Sequence, residues 1–208
     1  MTPDIVSPFE PIAARYAALW SDTPRGRAQR EQVWREIDPL FCPGDRILDL
    51  GCGTGDDAVH LISRGVSVLG VDSAASMIEI ARSRGVDARQ MAIEELTTLQ
   101  GEFHGAISNF GALNCIADLG AVSESLARLV RPQRKLAVCV LSRFCWRNDW
   151  RHLLQRWSGR TQWRGINVYY RSAGSIARTF APHFRFQRRV SVGRGDHQLL
   201  IFARRPEC

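Results

Sequence analysis

The chain has 208 residues, 45% hydrophobic and 24% charged, with a net charge of +7, a size that suits one domain able to bury a sizeable core without a second one. Six cysteines, at 42, 52, 115, 139, 145 and 208, form no C-x-x-C pair and no Cys/His cluster at zinc spacing, which speaks against a disulfide framework or a structural metal. Residues 1–10 carry two acids and two prolines with no apolar stretch behind them, and no run nears the roughly 18 apolar residues of a membrane span, so a cytoplasmic chain with no membrane role is expected.

In chain order, Phe9, Ile12, Ala13, Tyr16, Leu19 and Trp20 recur at three- and four-residue steps and predict an amphipathic helix, with a second over Arg27–Ile37. Residues 1–40 thus read as a helical cap. Strand and helix patterns then alternate: strand 46–50, helix 56–64, strand 66–71, helix 74–84, strands 86–91 and 103–109, helix 120–130 and strand 135–141. This rhythm implies an α/β, doubly wound, mostly parallel sheet covered on both faces. An insertion follows at residues 143–171, where Trp146, Trp150, Leu153, Leu154 and Trp157 form one helical stripe and Arg143, Arg147 and Arg151 another. The tail predicts strands 184–192 and 198–203 joined through Gly193-Arg194-Gly195-Asp196, an antiparallel hairpin that completes a seven-stranded sheet in a single domain.

The charge is segregated: residues 1–118 hold 10 arginines against 17 acids, residues 119–208 hold 17 arginines and one lysine against 4 acids. Two readings stand, a basic face that meets an acidic partner or a preference for arginine codons, since Lys135 is the sole lysine. The insertion admits three: tryptophans in the core behind a solvated arginine face, a lid over the substrate, or a docking face for a carrier protein, a nucleotide or a nucleic acid.

Chemistry concentrates at Asp49-Leu50-Gly51-Cys52-Gly53-Thr54-Gly55, where a buried strand ends in a carboxylate and breaks into alternate glycines. Such a turn lets a ligand approach the main chain and presents free helix N–H groups to it. Asp56 stands where the dinucleotide fingerprint wants its third glycine, which disfavours NAD. Asp72, ending the next strand, can accept hydrogen bonds from both hydroxyls of a ribose held on the loop, while Asp49 can face an ammonium group. A nucleoside that also bears an ammonium group is S-adenosylmethionine.

These residues resemble the class I S-adenosylmethionine-dependent methyltransferases. Asp49, Gly51, Gly53 and Gly55 match the family's acid-x-G-x-G-x-G, and Asp72 in Val-Leu-Gly-Val-Asp-Ser matches its second acidic motif. Ser73 and Met77 look like the helix start beside the adenine, Phe103–Asn114 like the fourth strand and the loop beneath the methyl donor, and Leu126–Leu136 like the helix, turn and fifth strand. The resemblance implies a Rossmann-like fold, S-adenosylmethionine as cofactor with S-adenosylhomocysteine as product, and methyl transfer to an oxygen or nitrogen atom of a small metabolite. It places Tyr16 over the cofactor, Cys52 and Thr54 in the loop, Asn109 and Phe110 at the methyl site, and Ala92 and Ile93 beside an adenine that no acidic side chain reads. Where the family has Pro-Gly-Gly, this chain has Pro132-Gln133-Arg134, a change to a surface turn.

Methyl transfer needs alignment and dryness, and a base only where the acceptor is protonated. His152 and Tyr170 are the candidate catalytic residues, with His104 and Tyr169 behind them. Asp56 and Asp57 read as electrostatic support for a helix N-terminus. A nucleic-acid methyltransferase is the alternative that the basic tail invites, but Asn109 is followed by Phe110-Gly111 rather than Pro-Pro-aromatic, and no Pro-Cys nucleophile is present. A third alternative is a non-catalytic cofactor-binding module.

Overall fold

The computed structural model describes residues 7, 9–142, 160–163 and 165–206. Seven strands form one sheet: β1 (Arg46–Leu50), β2 (Ser67–Asp72), β3 (Asp87–Gln90), β4 (Phe103–Ser108), β5 (Val130–Leu141), β8 (Phe184–Val192) and β9 (His197–Arg204), in the order β3-β2-β1-β4-β5-β9-β8. The first five run parallel, and β9 runs antiparallel to both β5 and β8. β1 therefore sits at the point where the strand order reverses, and its C-terminal end opens into the glycine loop.

Each face of the sheet is covered by helices whose apolar stripes fit it. On one face lie α2 (Pro24–Ile37), α3 (Asp56–Ser63) and α4 (Ala75–Ser83), which place Val33, Ile37, Ala58, Leu61, Ile78 and Ala81 against Ile47, Val68, Ile107 and Ile201. On the other, α5 (Leu119–Leu129) and α6 (Ala173–Phe180) bury Val122, Leu126, Ile176 and Phe180 against Leu48, Phe103, Leu136 and Phe202. α2 starts three residues before its expected start because Thr23 caps it, its hydroxyl accepting the Gly26 N–H at 3.0 Å, with Pro24 at the first helical position.

Two expectations are corrected, and a third lies outside the described residues. The first helix is broken into a 3₁₀ turn Glu10–Ile12, a short α1 (Ala13–Tyr16) and a π turn Ala17–Ser21. The wider π turn rotates the chain, so Ile12 and Ala13 are buried while Leu19 and Trp20 stand about two-fifths exposed, at 41% and 42%. Strand β5 begins at Val130 rather than 135. Inside it Gln133 adopts φ +64°, a left-handed conformation that costs a side-chain-bearing residue about 1–2 kcal/mol. The tryptophan stripe of the insertion, with His152, lies outside the described residues. The end of the insertion forms a hairpin, β6 (Arg160–Trp163) and β7 (Ile166–Tyr169).

That hairpin is fastened to the end of the main sheet. The Asn114 amide donates to the Tyr169 carbonyl at 2.7 Å and accepts the Leu141 N–H at 2.8 Å. Arg171 donates to the carbonyls of Ile116 and Ala117, both at 2.7 Å, and stacks over the Tyr169 ring at 4.7 Å.

Candidate functional site

The glycine loop hangs from the end of β2: the N–H groups of Gly51 and Cys52 both donate to the Val71 carbonyl, at 2.8 and 3.0 Å. Gly51 (φ +71°) is required twice over, because a Cβ there would lie 2.3 Å from the Ala112 Cβ. Gly53 (φ +53°) faces open space instead, with no heavy atom within 4 Å of where its Cβ would stand. The first glycine packs the loop and the second leaves it bare for a ligand.

Two carboxylates flank this bare backbone in different states. Asp72 is satisfied by main-chain donors, its two oxygens accepting the N–H groups of Gly53 (3.0 Å) and Ala74 (2.9 Å), and each oxygen keeps a lone pair. Burial raises its pKa, against the pull of those two N–H groups. Asp49 is 1% exposed and its Oδ2 has no hydrogen-bond partner. Burial, and then the nearby Asp57 carboxylate, push its pKa well above the usual carboxylate range. The same burial, with Asp49 beside it, drives the Cys52 thiol upward, so Cys52 is an inert neutral group in the loop.

A pocket forms over the loop, lined by Tyr16, Gly51, Cys52, Gly53, Thr54, Asn109 and Phe110, all expected from the sequence, and by Arg30, Asp56 and Asp57. Asn109 is 7% exposed and neither its Nδ2 nor its Oδ1 has a partner. Phe110 follows it at φ +53°, a conformation rare outside glycine that turns the chain sharply at the end of β4. Tyr16 reaches the pocket because its segment is latched in place. The Glu10 carboxylate accepts the N–H groups of Ala75 (2.5 Å) and Ser76 (3.0 Å) at the start of α4, and the Ser21 hydroxyl donates to Asp56 at 2.7 Å.

The remaining expected residues are placed around this pocket. Gly55 faces Ala81 and Val86 and seats α3 against α4. Met77 is fully buried with Ala13 and Ala74 and packs on Tyr16. The Ser73 hydroxyl donates to that of Ser7 at 3.4 Å. The Ala92 N–H donates to Glu95 at 2.8 Å, and Ile93 is buried close to Gly51. Tyr170 follows β7 directly and is partly exposed. His104 stands at the opposite end of β4, accepting the Arg46 N–H at 2.9 Å beside Arg131, so it is structural.

Arg30, Asp56 and Asp57 were not foreseen as pocket residues. Arg30 lies on α2 within the stripe that also carries Val33 and Ile37, and an arginine in an apolar stripe is the signal that could have found it. Its guanidinium pairs with Asp57 at 2.8 Å and with Asp56 at 3.5 Å and lies over the Phe110 ring at 4.7 Å. Asp56 also binds Arg84 at 2.6 Å and is held below the usual carboxylate range; burial opposes this, while Arg30, Ser21 and Arg84 win. The site therefore combines four carboxylates, one pocket-lining arginine and a bare glycine backbone.

These features fit S-adenosylmethionine. The bare oxygen of Asp49 suits an ammonium, the lone pairs of Asp72 suit ribose hydroxyls, and the unpartnered Nε of Arg30 suits a carboxylate. Among the described residues no cluster of histidine, cysteine, aspartate or glutamate could hold a metal ion, and no helix is long and apolar enough to cross a membrane.

Residues 47–133 match the family described as methyltransferase domain. The chain is 31% identical over 154 residues to a ubiquinone biosynthesis O-methyltransferase from Hahella chejuensis, covering 66% of this chain and 61% of the relative. It is 30% identical over 148 residues to a demethylmenaquinone methyltransferase from Beutenbergia cavernae, covering 69% of this chain and 60% of the relative. It thus spans about three-fifths of the length of both. In fold it is similar to the N-methyltransferase NodS of Bradyrhizobium japonicum, solved with S-adenosyl-L-homocysteine, with a TM-score of 0.72, 15% identity, and coverage of 97% of this chain and 100% of that one.

Proposed function

We propose, from the premise that the chain belongs to the class I S-adenosylmethionine-dependent methyltransferases, that it transfers a methyl group to an oxygen or nitrogen atom of a small metabolite. The observation that carries the reading is the bare, fully buried oxygen of Asp49 beneath a glycine loop whose Gly53 backbone is open. A buried carboxylate without a partner is costly unless a cation meets it.

S-adenosylmethionine supplies the methyl group on a positively charged sulfur, which is a good leaving group. The protein's task is to hold, align and dry. Asp72 and the Gly53 backbone hold a ribose, Asp49 an ammonium, Arg30 a carboxylate. Tyr16, latched by Glu10 and Ser21, closes one side of the pocket and excludes water. Asn109 offers one acceptor and two donors with which to orient the group being methylated, and Phe110 sets the wall beside it. The relatives named for ubiquinone and demethylmenaquinone support a small-molecule acceptor, and an acidic or carrier partner remains compatible with the arginine-rich half of the chain.

Two measurements test this. Calorimetric titration with S-adenosylhomocysteine is expected to show one site per chain, and absence of binding would overturn the cofactor assignment. Incubation with methyl-labelled S-adenosylmethionine and a panel of phenols, amines and transfer RNA is expected to label a phenol or amine. Label on the RNA alone would overturn the choice of acceptor.

A further inference from the structure

Arg30 and Trp34 stand one turn apart on α2, and both reach the same carboxylate on α3. Asp57 is 6% exposed; its Oδ1 accepts the Trp34 indole N–H at 2.7 Å and its Oδ2 pairs with Arg30 Nη1 at 2.8 Å. Both oxygens are thus committed to one helix. Trp34 is itself clamped, since the His60 ring stacks on it at 4.0 Å with an interplanar angle of 2°. His60 is in turn held by Asp38 at 2.7 Å, which Arg64 approaches at 3.3 Å.

The guanidinium at the other end of this chain is only half used. Its Nη1 is spent on Asp57, and its plane lies over Phe110. Its Nη2 has long contacts, 3.3 Å to the Ser21 hydroxyl and 3.5 Å to Asp56, and its Nε has no partner. Nε and Nη2 form the side-on fork of the guanidinium, the geometry that grips a carboxylate with two parallel hydrogen bonds. A fork is useful only if its roll about the side-chain axis is fixed, and Asp57 fixes it from the far side.

We propose that Trp34 is a positioning residue: through Asp57 it sets the roll of Arg30, so that the Nε/Nη2 fork meets the carboxylate of the cofactor's amino-acid portion, which takes the bare Nε and replaces the long Nη2 contacts. This rests on the S-adenosylmethionine reading of the pocket. Trp34 lies outside the pocket lining, and its indole N–H matters because it holds Asp57 in the orientation that leaves Nε without a partner and Nη2 with only its long contacts to Ser21 and Asp56.

Trp34→Phe keeps an aromatic ring for the stack on His60 and removes the N–H together with the pyrrole part of the indole, so a comparison of two ligands is what separates lost positioning from lost packing. The measurement is calorimetric affinity for two ligands, S-adenosylhomocysteine and 5′-methylthioadenosine, which shares the nucleoside and thioether and lacks the carboxylate and ammonium. Trp34→Phe is expected to weaken S-adenosylhomocysteine about fivefold to tenfold and to leave methylthioadenosine within about twofold. In an Arg30→Met background, itself weak for S-adenosylhomocysteine, the tryptophan change is expected to add nothing. Equal weakening of both ligands would reduce Trp34 to a packing residue, no weakening would remove it from the relay, and an undiminished effect without Arg30 would break the route. Asp57→Asn, read the same way, decides the matter if Trp34→Phe does not fold. A wild-type chain that binds neither ligand would overturn the cofactor reading instead.

Discussion

The two sides of the sheet carry charge in opposite ways. At the C-terminal ends of β1 and β2, Asp49, Asp57 and Asp72 are buried or nearly so, and one oxygen of Asp49 is bare. At the far edge, β8 exposes Arg185, Arg188 and Arg189 to water, and Arg188 pairs with Glu36 of α2. Buried charge is expensive and persists where a ligand meets it. Exposed charge is cheap, and on an edge strand it discourages pairing with other chains. The net charge of +7 therefore describes the surface, while the pocket has the opposite sign.

The sharpest way to break this contrast is Asp49→Asn. The variant is expected to bind S-adenosylhomocysteine about 30- to 300-fold more weakly, since a buried cation loses its counter-charge. The same variant without ligand should be as stable as the wild type or about 1 kcal/mol more so, because a bare buried carboxylate has gone. Thermal melting with and without ligand reads both effects. Lost stability with retained affinity would make Asp49 a framework residue.

Asp49 also gives a pH signature. Its folded pKa is raised, by burial first and Asp57 second. Its contribution to stability is therefore complete below the unfolded carboxylate value of about 3.9 and is lost as pH rises through the folded value. An ammonium-bearing ligand favours the ionised form, so binding expels a proton. Affinity for S-adenosylhomocysteine should rise from acidic towards neutral pH, and calorimetry in buffers of different ionisation enthalpy should record proton release that Asp49→Asn abolishes. A flat profile would mean that Asp49 is already ionised in the empty pocket.

A smaller effect is expected at the second carboxylate. Asp72→Ala removes acceptors for two ribose hydroxyls and should weaken S-adenosylhomocysteine by about 1–3 kcal/mol. It also frees the Gly53 and Ala74 N–H groups, so some stability should be lost, unlike at Asp49. Unchanged affinity would remove Asp72 from the site.

The buried, carboxylate end of the molecule was the legible one. Strand periodicity and the alternate glycines located β1, β2 and the loop to within a residue or two, because a backbone that must turn left-handed against Ala112 leaves few choices of residue. Strand β8 was also found at its observed bounds, since β-branched and aromatic residues flank it and a glycine turn ends it. Helix α6 was missed: it is eight residues long and buries only Ile176 and Phe180, too few for a period, and only the Ser172 cap on the Ser175 N–H marks it. The relay from Trp34 to Arg30 escaped because it depends on α2 and α3 meeting in space. Locally, Asp57 is a plain helix-start residue and Trp34 a plain apolar one.

The smallest effect should come from the exposed end. Arg188 and Glu36 form an ion pair whose side chains remain 47% and 27% exposed, so water and salt screen most of their attraction. A double-mutant cycle of Arg188→Ala and Glu36→Ala is expected to give a coupling of about 0.2–1 kcal/mol in thermal or denaturant unfolding, shrinking as salt is added. Affinity for S-adenosylhomocysteine should not change in either variant, since β8 lies at the edge of the sheet and β1, β4, β5 and β9 are on or between it and the glycine loop. A coupling above about 2 kcal/mol, or a change in cofactor affinity, would show that the basic edge and the acidic pocket are linked through α2, which carries Glu36 and Arg30 alike. A small, salt-sensitive coupling with unaltered affinity would leave α2 two separate tasks, bracing an edge strand with one face and aiming a guanidinium with another.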